Sequence, residues 1–80
     1  MTHGGDRLRN TMAAVLGVPA EALGDDASPE TVSDWDSMGH LNLVMALESE
    51  FGISLSAEDA LEMRNVAAIR QVLQARGVAL

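Results

Sequence analysis

The sequence predicts an all-α fold: a small four-helix bundle with three main helices, one short helix and a long loop between the first two. Three observations predict it. Apolar residues recur at helical spacing in three separate stretches, and no stretch of useful length alternates with period two. The apolar fraction is 48%, rich in alanine and leucine, with Trp35 and Phe51 the only aromatic residues, a composition that suits helices better than sheets. A chain of 80 residues can form one domain around a single modest core and is too small for a deep cleft between domains, so an enzyme is not expected.

The first helix is expected near residues 6–17. Asp6 can cap it, Leu8, Met12, Val15 and Leu16 fall at helical spacing, and Gly17 with Val18 forms a left-handed ending with an apolar fold-back. Pro19 then blocks continuation. From Val18 to Asp36 the chain carries both prolines, Gly24, Glu21, Asp25, Asp26, Glu30 and Asp34, which read as a long connection with at most a turn of helix. Leu23, Ala27, Val32 and Trp35 are its candidate anchors, because a structureless loop of this length is uncommon in a compact domain unless pinned or functional.

The second helix is expected at residues 37–51. Asp36 or Ser37 can accept a hydrogen bond from its orphan amides, and Gly52 with Ile53 repeats the ending seen at Gly17. Residues placed at about 100° intervals put Leu43, Val44, Leu47 and Phe51 on one side, with His40 among them. That side should face the core. Met38, Leu41 and Met45 form a second stripe, with Glu48 beside it. Other helices could cover this stripe, or it could be an exposed apolar and acidic docking face beside Ser37, for which adaptable methionine side chains are well suited.

A short helix near residues 57–63 takes Ser56 as its cap and Glu58 and Asp59 in its first turn, with Ala60, Leu61 and Met63 behind. Asn65 caps the last helix, near residues 66–76, where Val66, Ile69, Val72 and Leu73 face inward, Arg70 and Arg76 face out, and Gly77 with Val78 closes the helix. The three main helices should run up and down around one core of Leu8, Val15, Leu16, Leu43, Leu47, Phe51, Ile69 and Leu73.

Composition also bounds function. The net charge is −7, with five arginines and no lysine, which argues against nucleic acid or anionic membranes as partners and for basic protein surfaces. No apolar run approaches the roughly 20 residues of a membrane span, and Met1 to Gly5 lack the features of a signal peptide, so a cytoplasmic monomer is expected. The absence of cysteine excludes disulfides, thiolate metal sites and thiol catalysis by the chain itself. Any thiol chemistry must be imported. His3, in a start expected to be mobile, and His40, on an inward helix side, do not suggest a metal pair. Asp25-Asp26 lacks the alternating oxygen ligands and glycine of a calcium loop. A hydrolase built on Ser37 would lack a partner base and an oxyanion motif.

At Asp36-Ser37-Met38, heading a helix that ends Leu47-Glu48-Ser49-Glu50-Phe51-Gly52-Ile53, the sequence resembles the acyl carrier proteins. The resemblance extends over nearly the whole chain as one carrier domain, residues 1–80. It takes in the first helix, the acidic loop, an Asp-Ser-Leu-type motif with methionine in the leucine place, the short third helix and the fourth. In that family the motif serine carries 4′-phosphopantetheine, and Ser37 is the matching position, with Asp36 supporting it as a cap or by orienting the serine or a transferase metal. The resemblance implies a phosphopantetheinyl transferase and acyl-loading and acyl-transfer enzymes with basic docking surfaces as partners, met through Met38, Leu41, Met45 and Glu48. It implies carriage of a thioester, not catalysis. Fatty-acid carriers usually have more carboxylates along the second helix, where this chain has Gly39, Asn42 and Ser49. Trp35 and the run Gly39-His40-Leu41-Asn42-Leu43 resemble carriers of polyketide or other specialised biosynthesis, or of aminoacyl loading. An acidic helical adaptor without a cofactor is the competing reading, and the cargo itself is not written in the chain.

Overall fold

The structure is a computed structural model that describes the backbone of residues 4–80 and the side chains of residues 7–80. Four α-helices follow in order: α1 Gly4–Leu16, α2 Ser37–Phe51, α3 Ala57–Glu62 and α4 Val66–Ala75, with a single 3₁₀ turn at Ala20–Ala22 in the loop between the first two. The helix bounds therefore lie within two residues of those expected. His3 lies outside the described residues. The expected cap at Asp6 is not at the helix start, since α1 already begins at Gly4, which leaves Asp6 inside the first turn.

Each long helix buries one stripe. Leu8, Met12 and Leu16 from α1, Leu43 and Leu47 from α2, and Val66, Ile69, Val72 and Leu73 from α4 form one continuous core. Val15 and Phe51, expected in that core, are only half-buried at its margin. Leu8, Met12 and Leu16, four residues apart, already fill the inward stripe of α1 and leave Val15 beside it. Phe51 is the last residue of α2; it packs against the edge of the core, and the Arg7 guanidinium covers its ring at 4.7 Å from the centroid, a cation–π contact. All four anticipated loop anchors, Leu23, Ala27, Val32 and Trp35, are buried in the same core, joined by Met63.

The three main helices share one ending. Gly17, Gly52 and Gly77 adopt φ of 69°, 63° and 89°. The amides of Val18, Ile53 and Val78 then reach back to Ala13, Glu48 and Leu73 carbonyls at 3.1, 3.1 and 3.0 Å. Val18, Ile53 and Val78 each pack against the core.

The loop is bound to α4 as well as to the core. The first backbone N–H groups of a helix have no partner within it. Here Val66 N–H donates to the Ala27 carbonyl at 3.1 Å, Ala67 N–H to the Asp25 carbonyl at 2.9 Å, and Ala68 N–H to Asn65 Oδ1 at 2.7 Å. Asp25 Oδ1 also takes Arg70 at 3.0 Å and Arg9 at 3.5 Å, so Arg70 ties the loop to α4 where it was expected to face out. Arg76 likewise pairs with Asp59 of α3. α3 opens with a reciprocal capping box between Ser56 and Asp59. The Ser56 backbone N–H, and after it the Arg76 guanidinium, hold the Asp59 carboxyl below its ordinary value.

Candidate functional site

Asp36 is the N-cap of α2. Its backbone is extended, at φ −97° and ψ −166°, and Oδ1 accepts the Gly39 N–H at 2.8 Å. Ser37, the other residue that could have capped, is therefore the first helical residue, exposed and free of that task.

Gly39 explains why the approach to this serine is so close. A Cβ at that position would stand 2.5 Å from the Asp34 carbonyl oxygen and 3.3 Å from both Asp36 Oδ1 and Leu16 Cδ2. A side chain there would force the loop backbone at Asp34 to shift. The absence of an acid at Gly39, which in the sequence is only a departure from a common pattern, has a steric cause.

His40 sits half-buried on the inner side of α2, as its helical position anticipates. Trp35 Nε1 donates to His40 Nδ1 at 3.0 Å, with the two rings within 17° of coplanar, and His40 Nε2 lies 2.8 Å from the Ala60 carbonyl of α3. Both ring nitrogens are thus engaged, so His40 is not available to Ser37 as a free base.

Two cavities open beside Ser37. One, of about 580 Å³, lies on the loop side and is lined by Pro29, Ser33, Trp35, Asp36, Ser37 and His40. The other, of about 450 Å³ and mostly apolar, runs between α2 and α3 past His40, Leu41, Val44, Ala60 and Leu61. The second stripe of α2 is exposed, with Met38, Leu41 and Met45 at 65%, 54% and 59% of full accessibility. Leu61 of α3 is at 75%. Its exposure was not legible in the sequence, which grouped it with Met63. A helix of six residues turns only one face to the core, and Met63, just beyond it, fills that place.

Glu48 differs from its three companions. It is half-buried, and its Oε2 accepts the Leu55 N–H at 2.8 Å, bracing the link from α2 to α3. Any meeting with a basic surface would share this carboxylate with an internal bond.

Residues 6–73 match the family model described as the phosphopantetheine attachment site. An acyl carrier protein of Solidesulfovibrio magneticus (strain ATCC 700980 / DSM 13731 / RS-1) is 33% identical over 61 residues, covering 76% of this chain and 78% of the relative. The chain belongs to the acyl carrier protein family. Members of this family are carriers, not catalysts, and bear 4′-phosphopantetheine covalently; they work with phosphopantetheinyl transferases and acyl-handling enzymes. No helix among the described residues is long and apolar enough to cross a membrane.

The residues present fit such an arm. Ser37 offers an exposed hydroxyl on the first turn of a 15-residue helix, where the positive end of the macrodipole favours a phosphodiester. The cavities on either side give a flexible chain somewhere to lie. When bound, the arm supplies the thiol that the chain, having no cysteine, lacks.

Proposed function

We propose that Ser37 is the attachment residue, and that the chain, as a single carrier domain over residues 1–80, presents acyl thioesters to enzymes of polyketide or other specialised biosynthesis. The observation that carries this reading is the division of labour at the head of α2, where Asp36 caps the helix and Ser37 stands exposed. In the modification, Ser37 Oγ forms a bond to the phosphorus on the pantetheine side of coenzyme A. The pyrophosphate P–O bond breaks, the nucleotide portion leaves, and the hydroxyl proton passes to a base outside this chain. Ser37 is a substrate nucleophile, and the transferase with its divalent metal is the catalyst. Asp36 holds Ser37 at the helix start and can also face that metal. Met38, Leu41 and Met45 form the docking stripe, with Glu48 at its edge.

The departure of Asn42 and Ser49 from the acidic pattern of fatty-acid carriers supports specialised over housekeeping partners. Aminoacyl loading fits the same site, because the thiol is indifferent to the acyl group it bears. The acidic composition suits a cytoplasmic monomer meeting basic enzyme surfaces.

Intact mass before and after incubation with coenzyme A and a broad-specificity phosphopantetheinyl transferase tests this reading. The wild-type chain should gain one phosphopantetheine, and Ser37→Ala should gain none while remaining helical. Modification of the alanine variant at another residue would overturn the assignment. No mass gain in the wild type would leave the exposed stripe as the surface of an adaptor without a cofactor. The acyl group found on protein from its native host would then separate polyketide, aminoacyl and fatty-acid roles.

A further inference from the structure

The three residues that lead into Ser37 are each held by one or both of the two residues that follow Met38. The Asp34 carbonyl packs on the bare backbone of Gly39. Asp36 takes the Gly39 N–H on Oδ1 and the His40 N–H on its carbonyl, both at 2.8 Å. Trp35 donates its indole N–H to His40. An indole nitrogen can only donate, so His40 Nδ1 must be bare, which places the ring proton on Nε2 and makes that atom the donor to the Ala60 carbonyl.

The ring is thereby fixed in one orientation between the loop and α3. Trp35 is fully buried, so Ser37, two residues on, is located relative to the core by a side-chain bond as well as by the loop backbone. His40 also lines both cavities that flank Ser37.

We propose that His40 is a positioning residue for the modification of Ser37, acting through Trp35. This rests on the reading of Ser37 as the attachment residue. Attack on phosphorus needs the hydroxyl oxygen held near the reacting atom and in line with the leaving oxygen, and small displacements cost rate steeply. A loosened Trp35 lets residues 34–36 shift with respect to α2, and Ser37 shifts with them. Met38 and Met45 of the docking stripe line neither of the cavities that His40 lines.

The test compares wild type, His40→Gln, His40→Leu and Trp35→Phe by kcat and KM of modification and by melting temperature, and the three proteins that keep Trp35 also by the indole N–H resonance of that sole tryptophan. His40→Leu and Trp35→Phe should each lower kcat about tenfold, corrected for folded fraction, with KM nearly unchanged. His40→Gln, whose amide offers both an acceptor and a donor, should restore most of kcat and the hydrogen-bonded indole resonance. If His40→Leu does not fold, Trp35→Phe decides together with His40→Gln: the first removes the N–H along with part of the buried indole, and the second keeps the indole and tests the bond alone. A kcat within about twofold of wild type in Trp35→Phe overturns the proposal. So does a glutamine variant that keeps the indole bond yet reacts as slowly as the leucine variant. An unmodified wild-type chain would overturn the reading of Ser37 itself, whereas a normal wild type with insensitive variants overturns the role of His40 alone.

Discussion

Gly39 is the residue at which helix propensity gives the wrong sign. Alanine inside a helix is ordinarily favoured over glycine by about 0.8–1 kcal/mol. At this position the added Cβ meets the Asp34 carbonyl at 2.5 Å, and that carbonyl is backbone, next to a tryptophan locked in the core. It cannot swing aside as a side chain would. Gly39→Ala should therefore lower the melting temperature despite its better propensity. A net loss of about 1 kcal/mol corresponds to a fall of about 4–8 °C in a domain of this size. A melting temperature equal to or above wild type, followed by circular dichroism, would show that the loop yields freely. The sequence exposed Gly39 only as a missing acid. Its reason lies in a contact with a loop residue whose place depends on the whole core. Trp35 was legible as an anchor, being a large apolar side chain in an acidic loop. The partner of its N–H was not, because a hydrogen bond between side chains is fixed by rotamers and packing that spacing alone does not give.

α2 presents opposite faces to two different tasks, and paired variants separate them. Leu47 is fully buried, and Leu47→Ala should cost about 2–5 kcal/mol, the range for a large-to-small change in a core. A loss under about half a kilocalorie would mean that the core closes around the missing atoms. Met45 is exposed, so Met45→Glu should leave the melting temperature nearly unchanged and slow the modification of Ser37 by disturbing the docked contact. If Met45→Glu instead unfolds the domain while its folded fraction reacts fully, the stripe serves stability. Glu48 is a poorer probe of docking, because reversing its charge also removes the acceptor for Leu55 N–H. The helix ends were the most legible elements. Caps at Ser56 and Asn65 and the glycine endings are decided by neighbours within a few residues. The placement of α3 was not, since it hangs on Arg76 and on His40, which lie 17 and 20 residues from their α3 partners.

At the scale of the molecule, charge is sorted along the chain. All acidic residues except Asp6 fall between Glu21 and Glu62, and no arginine lies between Arg9 and Arg64. Four of the five arginines are paired with carboxylates, Arg7 with Glu50, Arg9 and Arg70 with Asp25, and Arg76 with Asp59. These pairs sit at the joints between elements and leave Asp26, Glu30, Asp34 and Asp36 exposed, with no ion-pair partner among the described residues, on the loop that delivers Ser37. The charged side chains of the loop that leads to Ser37 are therefore all acidic. A partner with a basic rim is drawn toward the attachment end, and such steering acts on encounter more than on the bound complex. Raising salt shortens the screening length from about 30 Å at 0.01 M to about 3 Å at 1 M. kcat/KM for modification should then fall several-fold across that range while kcat holds steady, since the chemical step begins after the charges have met. The Met45→Glu defect should persist at high salt, because it arises from lost contact. A flat kcat/KM against salt would mean that the segregated charge does not guide the enzyme, and that docking rests on the apolar stripe alone.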